Sequence, residues 1–257
     1  MTILRIPDLA GKAFLVTGAS TGIGAAVAEA LALQGVEVGV HYNESEDAAR
    51  GVADRIRSKG GTAFLVRGDL ADSSAAADVV AQAAAHFGRL DGLINNGGSM
   101  LGRVPVIEST DEHVRKVLDL NAVSLVAASR AAVPRLRQHG GTIINTTSIA
   151  ARNGGGNGAV LYAASKAFVS SFTRGFAKEV VADGIRVNAV APGTILTPFH
   201  ERFSNEAQMK AMVATIPMGR AGTPDDCVGA YLFLASPALS GYVTGQVIEV
   251  NGGQLMP

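Results

Sequence analysis

The segment Ala13-Phe14-Leu15-Val16-Thr17-Gly18-Ala19-Ser20-Thr21-Gly22-Ile23-Gly24 constrains the fold more than any other stretch of this chain. An apolar run of strand length passes through a glycine-rich loop straight into a helical pattern over 22–34. A strand that feeds a helix in this way opens a strand–helix–strand unit. The pattern then repeats. Residues 13–17, 36–41, 62–67, 92–95, 142–147 and 186–191 read as short buried strands, with 246–250 as the last. Helical stretches lie between them over 22–34, 45–59, 73–87, 111–137, 161–183 and 225–236. Asp72 and Thr223 stand where N-caps belong, Pro224 suits a first helical position, and Gly35, Gly60, Gly88 and Gly184 stand where helices should stop. Repeated units of this kind predict an α/β fold, one doubly wound parallel sheet of about seven strands with helices on both faces. No linker divides residues 1–257, so a single domain is expected.

The loop also carries chemistry. Gly18 permits a tight turn, and Gly22 and Gly24 let backbone and helix approach a pyrophosphate at a helix N-terminus rich in unpaired N–H groups. Three more loops should reach the same edge of the sheet: Asp69-Leu70, Asn95-Asn96-Gly97-Gly98, and Pro192-Gly193-Thr194 with Thr197 beyond. Asp69 could accept from an adenine amino group, or simply cap a turn.

Tyr162 and Lys166 are four residues apart, which on a helix places both on one face. A phenol with a free pKa of about 10 is a poor acid–base catalyst at neutral pH. A neighbouring ammonium favours the phenolate. Ser148 lies upstream as a hydroxyl able to hold a substrate oxygen. With a dinucleotide at the front of the chain, these groups suggest hydride transfer to or from a carbonyl.

The formal net charge is zero, which provides no global field toward nucleic acid or an anionic membrane. Cys227 is the only cysteine, so no intramolecular disulfide or thiolate metal cluster can form. The five histidines show no metal spacing. Neither a secretory leader at the start nor an uninterrupted membrane-length apolar run is evident, and a cytoplasmic protein is expected.

Over essentially its whole length the chain resembles the short-chain dehydrogenase/reductase family, and most closely its 3-oxoacyl-acyl carrier protein reductases. The resemblance rests on the TGxxxGxG loop at 17–24, Asp69, the Asn95-Asn96 turn, Asn121, Ser148, the YxxxK motif at Tyr162 and Lys166, and Pro192-Gly193 with Thr197. It implies a catalytic tetrad of Asn121, Ser148, Tyr162 and Lys166. Tyr162 would be general acid in reduction and base in oxidation. Lys166 would lower its pKa and bind ribose hydroxyls, Ser148 would polarise the substrate oxygen, and Asn121 would hold a water beside Lys166. The loops and the resemblance together give a cofactor site of Gly18, Ser20, Thr21, Gly22, Ile23, Gly24, His41, Asn43, Asp69, Leu70, Asn95, Gly97, Tyr162, Lys166, Pro192, Gly193, Thr194, Ile195 and Thr197. Two departures stand out. Gly97 replaces the family's usual alanine, which should loosen the floor under the adenosine. Ser148 also precedes Tyr162 by one residue more than usual, with the glycine-rich run 154–158 between them.

The second strand ends Val38-Gly39-Val40-His41-Tyr42-Asn43 without the acid that binds an adenosine ribose diol. His41, Asn43 and Ser45 could donate to a 2′-phosphate, so NADP(H) is favoured, with NAD(H) possible. Residues 196–218 read as an amphipathic flap over the substrate. A 3-oxoacyl thioester or related carbonyl is the first substrate expectation, and a sugar or polyol the second. A non-catalytic dinucleotide-binding sensor is the alternative of another class. The long helices carry apolar residues on more than one face, and the apolar end Leu255-Met256-Pro257 follows the last strand. Together with the resemblance they point to a homotetramer.

Overall fold

The computed structural model describes residues 5–256, so residues 1–4 and Pro257 of the expected C-terminal contact lie outside the described residues. The strands are β1 (Ala13–Val16), β2 (Glu37–Tyr42), β3 (Thr62–Arg67), β4 (Gly92–Asn95), β5 (Gly141–Thr146), β6 (Ile185–Pro192) and β7 (Val247–Val250). They form one sheet in the order β3-β2-β1-β4-β5-β6-β7, and every pair is parallel. The order reverses between β1 and β4. That reversal opens a crevice at the carboxyl ends of those strands, the place where this class of sheet binds ligands.

Neighbouring strand residues point to opposite faces, and the core divides accordingly. Val16, Ile94, Ile144 and Val190 pack with α1 (Gly22–Leu33), α2 (Glu46–Ser58) and, later in the chain, the helix Pro224–Ala235. Leu15, Leu93, Ile143 and Val187 pack on the other face with α3 (Ser73–Phe87) and the long helices that follow β4 and β5. Strands buried on both faces read as continuous apolar runs, which is why these segments lack strict alternation.

The helix stops expected at Gly35, Gly60, Gly88 and Gly184 are all glycines with positive φ, between 70° and 83°. Asp72 caps α3 by accepting from the Ser74 and Ala75 N–H groups. Asp226 closes the first turn of Pro224–Ala235 by accepting from the Thr223 N–H at 2.7 Å.

The expected helix 111–137 is not one regular helix. It runs as α4 (Asp111–Leu118), a wider π-type turn (Asp119–Val123) and α5 (Ser124–Leu136). The Asn121 amide sits in the wide turn and donates to the Val117 and Ser99 carbonyls, at 2.8 and 2.7 Å. A side chain inserted into the helical ladder is a recognised cause of such a turn. The stretch Asp111–Leu136 is long and apolar enough to cross a membrane by length and composition, and half of its most apolar window is buried within the protein. The remaining helices are α6 (Ala150–Asn153), α7 (Val160–Val180), α8 (Pro198–Phe203), α9 (Glu206–Ala214), α10 (Pro224–Ala235) and α11 (Pro237–Ser240).

Candidate active site

The carboxyl ends of β1, β4, β5 and β6 open into a cavity of about 640 Å³, a size that suits a bound organic ligand. Gly18, Ser20, Thr21, Gly22 and Ile23 form one wall. Gly97, with Asn96 and Gly98, forms the floor, and Pro192, Gly193, Thr194, Ile195 and Thr197 form the opposite wall. Ser148, Tyr162 and Lys166 stand at the far end.

Two motif side chains outside the expected cofactor set, Thr17 and Asn96, lock these loops together. The Thr17 hydroxyl accepts from the Asn96 and Gly97 N–H groups at 2.9 and 3.0 Å, and donates to the Ile94 carbonyl. The Asn96 amide donates to the Thr17 and Gly18 carbonyls. Gly24 lies behind this wall. A Cβ on it would sit 2.3 Å from the Gly18 oxygen, so only glycine lets α1 start this close to the loop. The residues present therefore fit a dinucleotide: a backbone-lined trough at a helix N-terminus, with no side chain from Gly18, Gly22 or Gly193 to fill it.

Six of the expected cofactor residues, Gly24, His41, Asn43, Asp69, Leu70 and Asn95, stand outside the lining of this cavity, and the floor at Gly97 differs from expectation. His41 is 2% exposed and does not reach the cavity; its Nδ1 accepts from the Gly18 N–H and its Nε2 meets the Gly68 carbonyl, both at 3.0 Å. Burial holds this imidazole below its ordinary pKa, against a weaker upward pull from the Gly68 bond and from Asp69. Asn95 turns its amide away from the cavity to Ser129 and Asn145, at 3.1 and 2.9 Å. Asp69 is exposed beyond the cavity and accepts from the Ala71 N–H at 3.0 Å, the turn-capping role. Asn43 is likewise exposed outside the cavity, at the end of β2. The floor at Gly97 is not loosened either: a Cβ there would meet Leu70 Cδ1 at 2.5 Å. Leu70 occupies the place of the missing methyl from behind the wall.

The catalytic side chains come together as expected, with one difference in electrostatics. β5 ends at Thr146, and the next two residues carry the link to α7. The Thr147 hydroxyl donates to the Lys166 carbonyl at 2.7 Å, which fixes the strand end against the helix that bears Tyr162. Ser148 thereby faces the phenol. Lys166 is buried, and its Nζ donates to the Thr146 carbonyl at 2.9 Å, 5.7 Å from the centre of the Tyr162 ring. Enclosure pushes the Tyr162 phenol up to about 12, opposed by a hydrogen bond with Ser148. Burial pulls Lys166 down to about 8. Without a bound ligand, desolvation thus outweighs the expected ammonium–phenolate attraction. Asn121 is buried behind Gly98, and its Oδ1 accepts from the Ser99 N–H at 3.1 Å.

The far end of the cavity is closed by two elements. The run 154–158 turns through left-handed glycines and docks on the loop after β4, where the Val104 N–H donates to the Gly158 carbonyl at 3.0 Å. Helices α8 and α9 cover the other side with Pro198, Phe199, His200, Gln208, Ala211 and Met212, and the Phe199 ring lies 5.4 Å from that of Tyr162. The expected flap is therefore a pair of short helices over the reacting end. Arg103, Asn153, Asn157 and Gln254 also reach this end. Arg103, Asn157 and Gln254 come from loops and Asn153 ends the single-turn α6, segments without periodicity, which left no signal for them in the sequence.

Comparison with known proteins agrees with this geometry. Residues 18–254 match the family model described as enoyl-(acyl carrier protein) reductase. The 3-oxoacyl-[acyl-carrier-protein] reductase FabG of Staphylococcus aureus is 36% identical, over 95% of this chain and 98% of its own. The NADH-dependent reductase A1-R′, solved with NAD, superposes with a TM-score of 0.87 at 38% identity, covering 98% of this chain and 99% of its own. A candidate NAD(P)-dependent gluconate 5-dehydrogenase from Beutenbergia cavernae, with NADP bound at low occupancy, superposes with a TM-score of 0.89 at 38% identity, covering 97% and 99%. Taken with the loop, the tetrad positions and the sheet order, these likenesses show that the chain belongs to the short-chain dehydrogenase/reductase family and is an NAD(P)-dependent oxidoreductase.

Proposed function

We propose that the protein interconverts a secondary alcohol and a ketone on a small polar substrate, with Tyr162 as the general acid and base. The observation that carries this reading is the convergence of Ser148, Tyr162 and Lys166 on one end of a cavity whose other end is a backbone-lined dinucleotide trough. The bound nicotinamide supplies the hydride. The chain supplies the proton. In reduction, the Ser148 hydroxyl holds the carbonyl oxygen beside the phenol, and Tyr162 Oη releases its proton to that oxygen as charge develops there. Phe199 and the flap exclude water from that end. In oxidation the phenolate takes the alcohol proton. A charged Lys166 next to the ribose position favours that phenolate, and so would the positive charge of an oxidised nicotinamide.

NADP(H) is the preferred cofactor in this reading. No acid stands at the end of β2, Glu46 is paired with Arg50, and Arg67 on β3 donates to the Asn43 carbonyl at 3.3 Å, which brings a cation to that corner. The far end mixes Asn153, Asn157, His200 and Gln208 with Phe199, Ala211 and Met212, and its four polar side chains support a sugar-like or hydroxylated substrate. A 3-oxoacyl thioester is the second reading, favoured by the similarity to FabG. Following reduced-nicotinamide absorbance with both cofactors against hydroxylated ketones and acetoacetyl-coenzyme A tests the proposal. Turnover of the first group supports it; cofactor binding without any turnover contradicts it.

A further inference from the structure

The wall of the cavity is charged in one sense only. Among the residues that line it, Lys166 and Arg103 are cations, His200 is a third basic group, and there is no aspartate or glutamate. The dinucleotide accounts for part of this imbalance, since its phosphates belong at the Gly18–Gly24 loop and its ribose at Lys166. Arg103 stands at the other end, among the residues under the flap. Among the described residues, no carboxylate lies within ion-pairing distance of it.

The position of Arg103 is fixed by its surroundings. Its Nε donates to the Phe203 carbonyl at the end of α8, and its Nη1 donates to the Asn157 carbonyl at 3.1 Å. Nη2 has no hydrogen-bond partner among the described residues. The backbone before it is strained: Leu101, at φ 56°, is the one non-glycine residue with positive φ among the described residues, and Gly102 follows at φ 130°. Backbone held in a sparsely populated region tends to mark a functional position. His200 opposite is held neutral by burial first and by the Arg103 charge second. It therefore offers a hydrogen-bonding ring rather than a second repelling cation.

We propose that Arg103 anchors a carboxylate of the substrate, so that the enzyme acts on oxo acids and the corresponding hydroxy acids in preference to neutral ketones. The inference rests on the hydride-transfer reading of the Tyr162 end and adds a substrate class to it. A guanidinium with two of its donors already committed to carbonyls is pre-organised, and its remaining N–H groups match a carboxylate oxygen. The competing role for Arg103 is a purely structural brace between the 154–158 loop and the flap.

The test uses the full-length enzyme, wild type, Arg103→Gln and Arg103→Lys. The substrates are 4-oxopentanoate, 5-oxohexanoate and 5-oxogluconate, each against its methyl ester, with acetoacetyl-coenzyme A as a separate arm. The wild type should favour each acid over its ester in kcat/KM. Arg103→Gln should lower the acid-to-ester ratio of kcat/KM roughly 10- to 100-fold, mainly through KM of the acids, on top of any loss common to both from the broken brace; Arg103→Lys should recover part of that ratio. Equal loss on acids and esters would mean that Arg103 is only a brace. An Arg103-dependent preference for acetoacetyl-coenzyme A would move the anion to a phosphate on the carrier. Either result overturns the proposal. Calorimetry of the same acid–ester pairs on the enzyme with NADP⁺ reads the anchor without turnover. Acids that bind no tighter than their esters overturn the anchor. Arg103-dependent acid binding without turnover supports the anchor and faults the hydride-transfer reading instead.

Discussion

His41 accepts a hydrogen bond from the Gly18 N–H through Nδ1, at 3.0 Å. That single contact fixes the tautomer: the proton must sit on Nε2, where the Gly68 carbonyl waits as acceptor, also at 3.0 Å. One neutral imidazole therefore ties the first glycine of the dinucleotide loop to the segment after β3. Replacing His41 with Phe keeps much of the volume and removes the partner of two half-buried backbone groups, at up to about 1–3 kcal/mol for each. The expected result is a lower Tm and a cofactor Kd, read by nicotinamide fluorescence, weakened about tenfold. An unchanged Kd would show that the loop holds its shape without the imidazole.

The same residue gives a pH dependence with a definite sign. Its pKa in the folded protein lies below the ordinary value of 6.5, so between the two values the unfolded chain binds more protons than the folded one. Its contribution to stability is fully present above 6.5 and is lost as pH falls below that value. Thermal melts from pH 7.5 downward should show a loss in the wild type that is smaller in His41→Phe. Parallel curves for the two proteins would contradict this.

Activity should follow Tyr162 and Lys166. With the phenol at about 12 and the lysine at about 8, the phenol keeps its proton across the neutral range while Lys166 loses its charge above about pH 8. Carbonyl reduction should be flat up to that point and decline beyond it. Alcohol oxidation needs the Tyr162 phenolate to accept a proton and should rise with pH. Measuring kcat/KM against pH in both directions checks this; reduction that climbs above pH 8 would exclude Lys166 as the charged partner.

Cofactor choice should be alterable at Asn43 and not at His41, because His41 is enclosed and Asn43 is exposed at the strand end. Asn43→Asp puts a negative charge where a 2′-phosphate would lie. NADPH should lose about tenfold in affinity relative to NADH. The ratio of the two Kd values is the measurement, and a ratio equal to that of the wild type places the adenosine ribose elsewhere.

For the proposed homotetramer, the small residues Ala122, Ala127 and Ala128 of the helix expected over 111–137 offer no contact surface, because they are buried within the protomer. Leu118, Val123 and Phe168 are the apolar residues that remain 38–43% exposed on α4, the wide turn and α7, and Phe168, Phe172 and Phe176 stack along α7. Such a patch along two helices suits a two-fold helix–helix contact. Sedimentation equilibrium should find an oligomer for the wild type and a smaller species for Phe168→Glu; a single-chain mass for the wild type rules the interface out.

Most of this fold was legible because strands buried on both faces leave apolar runs and four helical stretches stop at Gly35, Gly60, Gly88 and Gly184, where the backbone takes positive φ. The reacting end was legible because Tyr162 and Lys166 share one helix and Ser148 follows a strand end. The cofactor pocket was less so. His41, Asn95 and Asp69 lie at the right strand ends, but a strand end does not say whether its side chain enters the cavity or holds the loops behind it. The π-type turn at Asn121 depends on a carbonyl at Ser99, far away in sequence, and Arg103 gains its meaning only when the flap and the 154–158 loop close around it.

The central claim is that Tyr162 carries the proton, and Tyr162→Phe tests it most directly. The substitution removes one oxygen and preserves the ring against Phe199. Steady-state reduction of a substrate turned over by the wild type, together with cofactor Kd by fluorescence, is the measurement. The account predicts a fall in kcat of roughly 10²- to 10⁴-fold with the cofactor Kd within about threefold of the wild type. A mutant that keeps wild-type turnover would contradict it.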